Sequence, residues 1–244
     1  MTLFKLTSRY IIVSLIVLII YYFKLQFFDV IFFELIFYLL LCSYLDFYAP
    51  IYNSIKYHEN NLKKNTLTID IIINVLINYC TYIQFLFITI NIIKPYELTL
   101  FNIILNYLYS VPLSLLSSFL FYYSHKFLHT PFMYRLFHKQ HHSHNNPSSF
   151  VALYSSIPDF IISNCVSIFI PYFILQVHPL FIISYSFIAI LDIFTHHTSY
   201  YFTNNILENI IGGSKFHHVH HYKMKYNYGL NNELFDKLHN TLFN

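Results

Sequence analysis

Long apolar blocks alternate with short polar punctuation along this chain. The blocks run from Tyr10 to Phe23, Leu25 to Tyr48, Leu67 to Ile93, Leu98 to Ser124 and Ile157 to Thr195. They are closed by Lys24, by Pro50 and by Lys94-Pro95, and a His178-Pro179 step interrupts the last one. A helix crosses the hydrocarbon core of a bilayer in about 20 residues. The first block is short by that measure and the next three suffice. The broken fifth block reads as a hairpin that dips into the membrane and returns. The pattern predicts an all-α integral membrane protein with about four transmembrane helices plus a membrane hairpin. Pro112 is expected to kink the fourth helix. Residues 1–96 form an N-terminal region of membrane helices and a polar loop, Ile51 to Thr66, and residues 97–244 carry the chemistry.

Composition agrees. Hydrophobic residues make up 56% of the 244 and charged residues 10%, against about a quarter charged in soluble domains. Ile, Asn, Tyr, Phe and Lys abound and Trp is absent, the mark of a nucleotide bias, so aromatic stripes and Asn runs carry little information. Cys42, Cys80 and Cys165 lie in apolar stretches at no metal-like spacing and read as buried small hydrophobes. A net charge of +3 with dispersed lysines gives no nucleic-acid signal. Lys5 and Arg9 precede an apolar run without a small-residue cleavage site, so an uncleaved anchor is expected. Thr2 excludes N-myristoylation, and the ending LHNTLFN holds neither a prenylation box nor a retrieval tetrapeptide.

Charge orients the helices. With a cytosolic N-terminus and alternating spans, Lys5, Arg9, Lys56, Lys63, Lys64, Lys126, Arg135, Lys139, Lys215, Lys223, Lys225 and Lys237 fall on the cytosolic side. Only Lys24 and Lys94 lie opposite. That is a strong positive-inside bias, and the same topology puts every histidine cluster on the cytosolic side.

Histidine is the residue type that the bias does not favour, and 12 of the 15 fall within 125–144 and 196–221. The clusters are HKFLH (His125, His129), HKQHH (His138, His141, His142) and HHVHH (His217, His220, His221), with the pair His196 and His197 closing the fifth block. Residues three and four apart share a helix face. His125 and His129 can thus aim at one point, His138 can join His141 and His142, and the third cluster does the same. Eight such residues plus His197 make nine ligands, too many for one zinc and suited to two metals. His144 reads as a loop residue, His218 as pointing off the cluster's face, His178 as a turn residue beside Pro179, and His58 and His239 as surface. Gly212, Gly213 and Gly229, the chain's three glycines, flank the last cluster, where their backbone freedom is expected to be needed.

No acid lies between Glu97 and Asp159, so the centre is almost all imidazole, unlike the Glu-rich soluble di-iron bundles. HExxH is missing, which disfavours a zinc protease. A metal transporter would place ligands at mid-membrane depth, usually with acids, whereas these lie at helix ends. A di-zinc hydrolase and a non-catalytic sterol-binding relative remain as rivals.

The stretches HKFLHTPFMYRLFHKQHH and GGSKFHHVHHYKMKYNYGLNNELFDKLHNT resemble the fatty acid hydroxylase and sterol desaturase superfamily over roughly residues 100–242. HHSHNNPSSFVALYSSIPDF and VHPLFIISYSFIAILDIFTHHTSY are most similar to its cholesterol 25-hydroxylase branch. The resemblance implies a membrane di-iron monooxygenase of the endoplasmic reticulum with His125, His129, His138, His141, His142, His217, His220 and His221 as ligands and His197 as a further one. It also implies two Fe ions, molecular oxygen, and electrons from NAD(P)H through cytochrome b5 or a reductase. The implied substrate is a lipid, a sterol foremost, oxidised in the manner of a cholesterol 25-hydroxylase or a C4-methylsterol oxidase. Fatty acyl and sphingoid substrates, and desaturation in place of hydroxylation, stay open. The chain departs from the family at His218 and His196, where acids are usual, at Phe216 for His, at Phe235 for Trp, and at Ile157-Pro158 for His-Pro.

Overall fold

The structure is a computed structural model that describes residues 12–20, 23–24, 26–48, 54–56, 67–144, 148–198, 200–202, 214–230 and 232–243. The anchor residues Lys5 and Arg9, His58, Lys63, Lys64, Gly212 and Gly213 lie outside the described residues. Five helices are long and apolar enough to cross a membrane: α1 (Phe27–Phe47), α2 (Ile69–Ile92), α3 (Leu100–Leu128), α4 (Ile157–Leu175) and α5 (Pro179–His196). This is a multi-pass membrane protein. The first apolar block is helical over residues 12–20. Both limbs of the expected hairpin are thus of spanning length. Beyond the spans lie α6 (Ser214–Lys223) and α7 (Leu234–Leu238). A short strand β1 (Ser54–Lys56) pairs antiparallel with β2 (Tyr200–Phe202), which joins the segment after α1 to the segment after α5.

Polar caps set the helix starts. Thr68, Thr99 and Ser156 accept hydrogen bonds from the backbone N–H of Ile71, Asn102 and Asp159. At α5 the cap is His178, whose ring accepts from Leu180 N–H, with Pro179 at the first helical position. His178 is therefore the turn residue that its neighbour implied. Pro112 does not kink a continuous helix. α3 is two helices, Leu100–Leu108 and Ser110–Leu128, and Pro112 sits in the first turn of the second, where a missing N–H costs nothing. That second helix runs on to Leu128, past the expected end at Ser124, and so carries His125 in its last turn.

Phe28, Phe32, Leu40, Ile69, Leu100 and Phe101 point outward on the spans, as helices bathed in lipid require. Cys42 and Cys165 are buried but Cys80 is exposed. On a spanning helix exposure means contact with acyl chains, so burial is not needed there. Polar groups within the spans find partners in protein. Tyr82 donates to Glu34 at 3.0 Å. Asn106 donates to Tyr96 at 2.7 Å and accepts from the His178 N–H at 3.0 Å, tying α3 to the α4–α5 turn.

Candidate metal centre

Nine histidines converge where α3, α5 and α6 meet. They form two groups, His125, His129, His138, His142 and His220, and His141, His197, His217 and His221, with the nitrogens of each group within 4.8 Å of one another. The groups adjoin, for the rings of His142 and His221 are 4.6 Å apart. These are the nine residues singled out from the sequence. His144, His178, His196, His218 and His239 belong to neither group.

The division within the clusters differs from the expectation that each cluster aims at one point. His138 and His142 enter the first group while His141 enters the second. In the third cluster the split is reversed, His217 and His221 in the second group and His220 in the first. Helix geometry explains it. At about 100° per residue, i and i+4 diverge by about 40°, while i+3 lies about 60° off to the other side. In the second cluster the backbone adds to this by changing from a π turn, Tyr134–His138, to a 3-10 turn, His141–Ser143.

Hydrogen bonds fix which nitrogen faces inward. His125 Nδ1 donates to Tyr228 O at 2.7 Å, His220 Nδ1 to Tyr226 O at 2.7 Å and His197 Nδ1 to Ile193 O at 2.6 Å. His141 Nδ1 lies 3.4 Å from Tyr154 O, and His138 Nδ1 lies 3.0 Å from the Asp159 carboxylate. With Nδ1 protonated, each Nε2 carries a bare lone pair. Yet the Nε2 atoms of His125 and His138 face each other at 3.1 Å and those of His197 and His141 at 3.4 Å. The Nε2 atoms of His129, His142, His217 and His221, whose Nδ1 atoms have no described hydrogen bond, complete the groups at 3.0–3.2 Å. Lone pairs aimed together in a buried site repel unless a cation lies among them, so the residues fit a metal. Metal–nitrogen bonds of about 2.1 Å at right angles put ligand nitrogens about 3.0 Å apart, and tetrahedral angles put them about 3.4 Å apart. The first group has the right-angled spacing of a five- or six-coordinate ion.

Burial keeps these rings neutral. It holds His129 at about 2, helped by repulsion from His125. Burial and His197 hold His141 at about 3, and burial and His196 hold His197 at about 4. Burial, then a neighbouring imidazole, pushes His138, His142, His217, His220 and His221 well below the ordinary histidine value.

Two acids missed in the sequence support these histidines. Asp159, buried at the start of α4, takes the outer nitrogen of His138, so the second cluster has an acid after all, 21 residues away. Asp236 on α7 accepts from Tyr228 N–H at 2.9 Å and Gly229 N–H at 2.8 Å, and so holds the loop whose carbonyls orient His125 and His220. Gly229 is needed for space, not for an unusual dihedral: a Cβ there would lie 2.6 Å from Asn232 O. The left-handed positions of this loop are Met224 and Asn227. His218 is buried outside both groups, as its place on the helix implies.

A small pocket reaches the inner faces of His125, His138, His141, His197 and His217. It shares Phe121, Asn164, Ile193 and Leu230 with a larger cleft among α3, α4 and α5 that encloses about 1000 Å³, part of it open at the mouth.

The model of the family "Fatty acid hydroxylase" matches residues 110–241, more than half of the chain. The chain belongs to the fatty acid hydroxylase family. Two clusters of buried histidines consistent with a di-iron site are what that family's members carry. A human fatty acid hydroxylase domain-containing protein 2 is 29% identical over 128 residues, 52% of this chain and 36% of its own. A Delta(7)-sterol 5(6)-desaturase of Schizosaccharomyces pombe is 32% identical over 138 residues, 55% of this chain and 44% of its own. A probable Delta(7)-sterol 5(6)-desaturase of Neurospora crassa is 33% identical over 123 residues, 48% and 33% of the two chains. This fatty acid hydroxylase family member thus spans less than half the length of these curated relatives, and none of the three is a cholesterol 25-hydroxylase. No solved structure matches.

Proposed function

We propose that the protein is an O2-dependent di-iron oxidase of a membrane lipid, with a sterol as the foremost substrate. One observation carries the reading: nine neutral imidazoles, arranged as five and four, open through a neck into a cleft between membrane spans. His125, His129, His138, His142 and His220 would hold one iron, and His141, His197, His217 and His221 the other. The chemistry such a pair supplies when bound is oxidation of an unactivated C–H bond. The protein's part is positional. Asp159 and the carbonyls of Tyr226, Tyr228, Ile193 and Tyr154 orient the ligands, while Phe121, Ile193 and Leu230 keep the approach apolar and dry. Right-angled nitrogen spacing favours iron over tetrahedral zinc, and ligands at span ends disfavour a transporter.

The relatives named as sterol desaturases support a sterol and leave hydroxylation and desaturation as equal forms of one abstraction chemistry. Electrons would come from NAD(P)H through cytochrome b5 or a reductase. The exposed cations Arg135, Lys139, Lys215, Lys223 and Lys225 near the centre suit an acidic donor. Lysine distribution supports a cytosol-facing centre, in the endoplasmic reticulum. The region 97–244 is proposed as the catalytic unit.

The test is expression in membranes of a host without sterol hydroxylases, with cytochrome b5 and its reductase supplied, followed by lipid mass spectrometry. A lipid gaining one oxygen or losing two hydrogens with the intact protein, and not with His141→Ala, is the expected result. Identical lipidomes from both proteins would overturn it.

A further inference from the structure

The larger cleft is bounded by α3, α4 and α5 and tapers towards the histidine-lined pocket at Phe121, Asn164, Ile193 and Leu230. Apolar side chains predominate on its walls, and Ser110, Asn164, Ser167, Tyr172, Tyr185 and Asp192 also line it. Ser114, Ser117 and Ser118 on α3 face it, and the hydroxyls of these three make no hydrogen bond to any described residue. That is unusual for a spanning helix, where Ser and Thr bond back to the carbonyl four residues earlier. Ser184 and Thr89 of this protein do so. Polar groups on the opposite wall are spent within α4: Asn164 donates to Ser163, and Ser167 to the carbonyl of Ser163. The cleft therefore offers hydroxyls without a described partner on its α3 wall, while on the α5 wall Tyr185 donates to Asn106 O and Asp192 also lines the cleft. Ser118 and Ser114 precede His125 by seven and eleven residues on one helix, which places them about 10 and 16 Å from it along the axis.

We propose that this cleft takes a long lipid with one hydroxyl at its end, a sterol-shaped molecule, and holds that hydroxyl on Ser114, Ser117 and Ser118. The apolar end then lies in the neck beside the histidines. The carbon presented for oxidation is separated from the hydroxyl by most of the length of the lipid. This rests on the reading of the site as a lipid oxidase, but its test does not require turnover. The balance of forces is simple: Ser114, Ser117 and Ser118 are half-buried and a hydroxyl without a partner is costly in hydrocarbon, so lipid and serines satisfy one another, and the apolar remainder follows the apolar walls.

The experiment uses the full chain purified in detergent, with cholesterol and its 3-deoxy analogue cholest-5-ene as probes. Wild type should retain cholesterol about tenfold better than the analogue, the worth of one net hydrogen bond. The triple variant Ser114→Ala, Ser117→Ala, Ser118→Ala should lose that preference while binding the analogue as wild type does. A second probe, cholesterol with a photoreactive diazirine at the end of its side chain, should tag peptides containing Phe121, Ile193 or Leu230. No preference in wild type, a preference that survives in the variant, or side-chain tagging confined to residues 110–118 would each overturn the proposal. A protein that passes here and leaves lipids unoxidised would refute the oxidase reading and keep this one.

Discussion

Asp159 decides which nitrogen of His138 faces the metal pocket, because a carboxylate at 3.0 Å demands a proton on Nδ1. Asp159→Asn keeps the shape and removes the charge, so metal should be held roughly 10–100-fold less tightly. Iron per protein after a graded chelator challenge measures this. The nine histidines that the structure brings together were legible in the sequence because their spacing is local. Asp159 and Asp236 were not, since they act across the fold, and Asp236 acts only through the carbonyls of another loop. Acid response also belongs to single rings. His129, His141 and His197 sit at about 2, 3 and 4 in the folded chain, against about 6.5 unfolded. Between those values the unfolded state binds more protons, so stability is full above pH 6.5 and falls as pH drops through 6 and below 4. Thermal unfolding of the metal-free protein across pH 4–8 should show that acid-side loss, and a flat profile would contradict it.

Among the elements, the spans were readable from hydropathy and Pro112 signalled the break at Tyr109, three residues before it, while the π turn at Tyr134 was not readable, since it has no Gly or Pro at its centre. The segment 148–156 shows what periodicity misses. It is held from outside the family-matched region. Asp46, in the last turn of α1, accepts from Ser149 and Phe150 N–H at 2.9 and 3.0 Å. Asn78 on α2, fully buried, donates to Leu153 O and Ser155 O at 2.8 and 2.9 Å. Tyr154 O, between those anchors, faces His141. The N-terminal helices thus help shape the centre, and residues 1–96 are more than an anchor. Asn78→Leu removes the donors to two buried carbonyls, which should cost about 1–3 kcal/mol. A lower melting temperature, with iron lost first on heating, is the expected outcome by calorimetry and metal analysis.

For the whole molecule, five spans and a β1–β2 pairing put the segments after α1 and after α5 on one face. With the native cysteines replaced by Ala, Lys139→Cys and Lys225→Cys should react with an impermeant maleimide only from the cytosolic side, and Gln176→Cys only from the other. Labelling of all three from one side would refute the proposed topology. The exchange of His141 and His220 between the two groups has a consequence for how such a chain is made. Both groups draw on residues 217–221, so neither can be completed while that segment is still inside the ribosome. Every span precedes residue 217 in the chain, so the full set of nine comes together only after the last span is made. A transcript cut short before codon 217 would keep four histidines of the first group and two of the second, so the second group would be the one dismantled.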